Sequence, residues 1–228
     1  MKKILILLNF FLLQIVFSQT GENQRINTGF NKNGSIEAKA PTKGETEGSM
    51  YLYQEFSAIK VGGELQNFLG RYNAFTDKME FEDKDKIYEY YPNINDKDIF
   101  FINLNKTYSY LNYFTDKSKS QNGYLVKLQF GDKVSLYKKE QIKLRQGNVS
   151  QTGYDKTTPD KYLQENDVFY VKIGNGNIIK VPKSKKEFLK LFGENEPVVS
   201  NLLKENSYSL KDESHLNLIF SQLQFLLP

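Results

Sequence analysis

At 228 residues, 39% of them hydrophobic, with a formal charge of +4 and a mean hydropathy of -0.56, the chain reads as a soluble protein with apolar material for one good core. The 14% aromatic share comes from 17 Phe and 15 Tyr without a Trp, a mixture that suits sheet faces. No cysteine is present, which excludes disulfides, thiol nucleophiles, cysteine-ligated metals and a lipidated cysteine tether; Lys interleaves with Asp and Glu throughout, which excludes the concentrated basic face that nucleic-acid binding needs.

Met1–Ser18 carries two lysines, a mostly apolar run from Ile4 to Phe17 and then the small Ser18, the layout of a secretory signal peptide cleaved between Ser18 and Gln19. Asn9 and Gln14 inside the run, and its shortness, argue against an uncleaved anchor helix. Cleavage takes Lys2 and Lys3 and no acidic residue, so the 31 basic residues fall to 29 against 27 acidic ones. The expected location is a Gram-negative periplasm or the cell exterior. Gln19–Gly48 is poor in apolar residues and cannot offset an ordering entropy of about 1–2 kcal/mol per residue, so a flexible polar tail is expected there.

From Ser49 the pattern turns to strands. Met50–Phe56 and Ile59–Val61 read as short strands, followed by a Gly62-Gly63 turn. Leu65–Glu82 is the clearest hairpin: Phe68, Gly70 and Tyr72 share one face of its first strand, and Met79 and Phe81 alternate with Lys78, Glu80 and Glu82 on the second. Its turn, Asn73 to Asp77, offers Asn and Asp side chains that bond nearby backbone and tolerate left-handed geometry. Gly70 predicts either a gap covered by a cross-strand aromatic or a bulge, and Arg71 predicts an exposed ion pair with Asp77 or a Glu across the hairpin.

Ile87–Tyr91, Ile99–Asn103, Thr107–Phe114, Gly123–Phe130, Lys133–Tyr137 and Gln141–Leu144 continue the series, with Gly131-Asp132 as a hairpin connection. Val168–Ile173 and Ile178–Val181 flank Gly174-Asn175-Gly176-Asn177, a strong hairpin signal. Past Val181 the period becomes helical. Ser184 and Glu187 form a capping box, with Phe188, Leu189, Leu191 and Phe192 apolar and Gly193 as the stop. Glu196–Glu205 is a second helix packing through Val198, Val199, Leu202 and Leu203, with Pro197 in its first turn. A third begins near Lys211 and carries Leu216, Ile219, Phe220, Leu223 and Leu227 on one stripe. The fold class expected is α+β: one domain over 49–228, an antiparallel β-meander (curved sheet or open barrel) over 49–182 and about three short helices over 183–228.

The reactive side chains form no strong constellation. His215, the only histidine, sits in the first turn of the third helix with no partner that spacing reveals, and one His without Cys falls short of a zinc site. Asp77, Glu80, Glu82, Asp83 and Asp85 lack the offsets of a calcium loop and are interrupted by Lys78 and Lys84. Glu80 and Glu82 share a strand face at a spacing that suits an inverting glycosidase, as any two alternate Glu would. Gly174-Asn175-Gly176 opens no helix that would bind phosphate. The tyrosines at 88, 90, 91, 108, 110 and 113 predict core packing with the hydroxyl at the edge, some facing solvent. No catalytic, cofactor-binding or metal residue is assigned.

Three stretches carry a resemblance: Gly48-Ser49-Met50-Tyr51-Leu52 with Phe56; Leu69-Gly70-Arg71-Tyr72-Asn73-Ala74-Phe75 with Asp77, Glu80 and Phe81; and Phe188-Leu189-Lys190-Leu191-Phe192, Leu203-Lys204-Glu205-Asn206 and Leu210-Lys211. Together they resemble a group of uncharacterised exported proteins of the Bacteroidota type, in which Pro commonly stands where this chain has Met50. The resemblance implies an exported α+β domain and carries no known activity, so no site residue follows from it. The expected function is that of a non-enzymatic interaction or structural module of the cell envelope, its partner a protein or envelope component. The alternatives are a carrier for a lipid, peptide or glycan and a carboxylate-dependent hydrolase.

Overall fold

Alternating polarity produces the sheet that the sequence predicts, with a topology it does not. The computed structural model describes residues 44–62, 64–84, 86–94, 97–115, 119–149 and 156–228, which belong to one unit, Pro41–Pro228; the expected signal peptide and the polar tail up to residue 43 lie outside the described residues. Strands β1 (Ser57–Val61), β2 (Asn67–Asn73), β3 (Lys78–Asp83) and β4 (Lys86–Tyr90) run antiparallel in sequence order. So do β5 (Ile99–Phe101), β6 (Lys106–Phe114), β7 (Ser120–Gln129) and β8 (Val134–Lys139). β9 (Ile142–Arg145) and β10 (Lys161–Gln164) form a separate two-stranded sheet, and β11 (Val168–Ile173) and β12 (Ile179–Lys180) complete the series.

The main sheet has ten strands in the order β12-β11-β8-β7-β6-β5-β1-β2-β3-β4, which is not a plain meander. After β4 the chain returns so that β5 pairs with the far edge of β1, and the β9–β10 pair is inserted between β8 and β11. β5 occupies only Lys106–Tyr108 of β6, which leaves the end of that strand's edge available. β12 takes it in parallel, Ile179 opposite Phe114, and β6, β7, β8, β11 and β12 thereby close on one another.

Inside that ring Tyr113, Leu125, Tyr137 and Tyr170, from β6, β7, β8 and β11, cluster with Ile178. On the opposite face of β8 and β11, Val134, Leu136 and Val171 pack against α1 (Lys185–Lys190), α2 (Glu196–Glu205) and α3 (Glu213–Leu226). Ser184 caps α1 by accepting from the Glu187 N–H, and α3 starts at an Asp212 cap, next to the expected Lys211. The predicted stripe of α3 is buried throughout; of the expected α2 contacts, Val198 is exposed. A third cluster joins Ile59, Tyr72, Met79, Ile99 and Phe101 to Tyr108, Tyr124 and Val126, so β2 folds over β6 and β7.

Several local expectations change. Met50–Phe56 is not a strand: Tyr51 makes one isolated bridge to Asn73, because the segment's side chains are committed to the β2–β3 face. The end of the predicted tail is docked, since Glu47 pairs with Lys161 and its carbonyl accepts from the Tyr162 N–H. Pairing runs through Gly70 without a register shift, so no bulge forms, and the gap is filled by Ile59: a Cβ at Gly70 would lie 2.5 Å from Ile59 Cδ1. No helix among the described residues is long and apolar enough to cross a membrane.

Candidate functional site

The β2–β3 turn sets the most distinctive site. Asn73 Oδ1 accepts from the backbone N–H of Phe75 and of Thr76, at 3.2 and 3.0 Å, an Asx turn that pushes Phe75 outward, and Asp77 adopts a left-handed φ of 58°. That turns the Asp77 carboxylate back over the sheet. Its Oδ1 accepts from Lys139 Nζ at 2.5 Å, Tyr72 Oη at 2.7 Å and the Tyr124 N–H at 3.2 Å. Lys139, from the end of β8, is 3% exposed and also donates to Tyr72 Oη and to the Tyr124 carbonyl, at 3.2 and 3.0 Å. Burial lowers the Lys139 pKa against the pull of Asp77 and Glu140, and raises that of Tyr72, helped by Asp77. All three ammonium protons have acceptors, so the amine holds the fold and presents no lone pair to a substrate.

Above this pair lies an open concavity of about 540 Å³. Its walls come from Gln121 and Asn122 at the start of β7 and from Gln141 and β9, which is tied to the turn by the Ile142 N–H donating to the Ala74 carbonyl. Gly123 is required beneath it: a Cβ there would sit 2.2 Å from Asp77 Oδ2 and 3.3 Å from Tyr113 Oη.

Two further ionic clusters are filled. Arg71 pairs with Glu80 across the hairpin, as the sequence suggests, but half-buried rather than exposed, its guanidinium between the rings of Tyr51 and Phe56, 3.8 and 4.4 Å from their centroids. Glu80 accepts from Arg71 Nε, Tyr51 Oη and Asn73 Nδ2, and burial beside it pushes the Tyr51 pKa up to about 12. Glu80 is therefore committed to this cluster. In the second cluster Glu140 accepts from Lys106 Nζ and Tyr108 Oη, both at 2.6 Å, while Lys138 lies 2.9 Å from Glu213 and 3.4 Å from Asp167. Asp167 Oδ1 is buried without a hydrogen bond, and burial raises its pKa.

His215 Nδ1 accepts from the Ser209 N–H at 3.2 Å and its ring tilts on Tyr208, so it closes the turn before α3. Among the described residues no group of His, Asp or Glu is arranged to hold a metal ion. Of the tyrosine run, Tyr108 and Tyr113 are buried and Tyr91 is exposed, but the Tyr108 hydroxyl is deep, on Glu140, rather than at an edge. Sequence reasoning missed the Lys138-Lys139-Glu140 run, which spans the end of β8 and the residue after it and is buried at all three positions.

Fold and cleft define an α+β protein built on a partly closed, mostly antiparallel sheet with a polar cleft at one hairpin turn. Compared with protein-family models, curated proteins and solved structures, the chain finds no match.

Proposed function

We propose that the protein is an exported, non-enzymatic interaction module of the cell envelope, and that it makes contact through the Asp77–Lys139 cleft. The observation that carries this reading is the state of the cleft floor: Lys139 and Asp77 Oδ1 are consumed by internal hydrogen bonds, while polar groups on the open walls remain for a partner. The signal-peptide layout of Met1–Ser18 supports export. Side chains filling the ring weigh against a carrier that encloses its cargo there, and Glu80 and Glu140, each bonded to a cation and a tyrosine, weigh against a hydrolase built on either.

The test is a photoreactive residue at Gln141 in the chain expressed in its source cells, with Ser200 on α2 as control. Adducts from Gln141 and none from Ser200 are expected. Equal labelling at both, or none at Gln141, removes the cleft from the reading, and a product retained in the cytoplasm that still begins at Met1 removes export.

A further inference from the structure

The charges around the cleft cancel. Asp77 is matched by the buried Lys139 at 2.5 Å, and Lys143 at the exposed rim by Glu165 at 2.9 Å, so the cleft presents no net countercharge to an ionic ligand. What remains is neutral hydrogen-bonding capacity. Gln121 Nε2 donates to Tyr113 Oη and Asn122 Oδ1 accepts from Asn112 Nδ2, which orients both carboxamides and leaves Gln121 Oε1 and Asn122 Nδ2 for a ligand. Asp77 Oδ2 and the Gln141 carboxamide likewise make no hydrogen bond among the described residues. The cleft thus offers both donors and acceptors, and groups that both donate and accept serve them best. At the mouth Phe75 is 40% exposed, with its ring braced edge-on by Tyr162 at 5.1 Å, an apolar face held in place. Extended peptide would want main-chain partners, yet on this wall the Ile142 N–H is given to Ala74 and the Gln141 carbonyl accepts from Glu165.

From these features we infer that the cleft binds a neutral, hydroxyl-rich ligand, a saccharide whose C–H face lies on Phe75 and whose hydroxyls meet Asp77, Gln121, Asn122 and Gln141. The inference rests on the cleft being the contact site. A concavity of about 540 Å³ lies in the range of small-molecule sites.

The experiment titrates the full, isotope-labelled chain with neutral oligosaccharides of glucose, mannose and N-acetylglucosamine, with an anionic oligogalacturonate and with a capped Gly-Ser hexapeptide, following the side-chain amide signals of Gln121, Asn122 and Gln141. At least one neutral saccharide is expected to shift them, with a Kd that changes by less than about twofold between low and high salt. Gln141→Ala is expected to weaken it roughly tenfold at unchanged Tm, and Phe75→Ala roughly tenfold with a small loss of Tm from the lost Tyr162 contact. Shifts caused only by the anionic saccharide or the peptide would overturn the saccharide inference and leave the cleft standing as the contact site. Silence from every saccharide overturns it too, and the Gln141 cross-link then decides separately whether the cleft reading falls with it.

Discussion

Replacing Asp77 by Asn keeps the shape of the side chain and one acceptor, and removes only the charge beneath the cleft. Lys139, its side chain 4% exposed, is then left with neutral acceptors only, the Tyr72 hydroxyl and the Tyr124 carbonyl among them. Stranding a buried charge costs about 3–5 kcal/mol. In a chain of this size each kcal/mol lowers Tm by about 2–4 °C, so Asp77→Asn is expected to melt about 10 °C below the parent near neutral pH. The pH dependence carries the sharper signature. Burial already lowers the Lys139 pKa from its ordinary 10.5, and Asp77 is the main force opposing that shift, so the variant lowers it further. A base whose folded pKa lies below its unfolded value sheds its proton on folding, so stability rises with pH through the window beneath 10.5. Urea denaturation should therefore show a deficit that shrinks from neutral pH towards about pH 9.5, below the region where the unfolded tyrosines ionise and both proteins weaken. Adding Lys139→Met should return most of the loss. A deficit under about 1 kcal/mol, one that grows with pH, or a double variant no better than Asp77→Asn would refute the argument.

Other substitutions probe the surroundings. Gly123→Ala places a Cβ against Asp77 Oδ2 and should displace the carboxylate from Lys139, costing about 1–3 kcal/mol by thermal melting; an unchanged Tm would mean the turn yields freely. Arg71→Lys loses the fork on Glu80 and the flat contact with Tyr51 and Phe56, so limited proteolysis should cut within 49–56 more readily, at a stability loss of about 1–2 kcal/mol, and identical digestion patterns would contradict this. Asp167 has a pKa raised mainly by burial, so it gains a proton on folding; its favourable contribution belongs to pH below its ordinary value and is lost as pH climbs through the folded one. Asp167→Asn should accordingly raise Tm near neutral pH and leave it unchanged near pH 3, whereas a loss at neutral pH would show that its contact with Lys138 outweighs its burial.

Local chemistry was the readable part of the sequence. The Asn73 turn, the left-handed Asp77, the Ser184 cap and the α3 stripe each depend on residues within a turn or two of one another, and each appears as expected. The site was not readable in the same way. Lys138-Lys139-Glu140 resembles a solvated stretch because its partners come from β3's turn, β6 and α3, and only the tertiary fold brings Asp77, Lys106 and Glu213 to them. Distant partners also explain Met50–Phe56, whose alternating pattern fits a strand but whose Tyr51 and Phe56 are taken by Arg71. Of the inserted pair, β9 was legible as Gln141–Leu144, whereas β10 was not, and its bridge to the Glu47 segment joins residues 114 apart in sequence.

The shared edge of β6 has a consequence for how the molecule is made. Its first residues find β5 immediately upstream, but the Phe114 N–H acquires its acceptor, Ile178, only after β7 through β11 have emerged. Until then the strand ends in a bare rim able to recruit a neighbouring nascent chain. Stalled synthesis or proteolytic loss ahead of Ile178 should therefore produce sticky fragments that coalesce, a quality-control burden out of proportion to the two residues of β12.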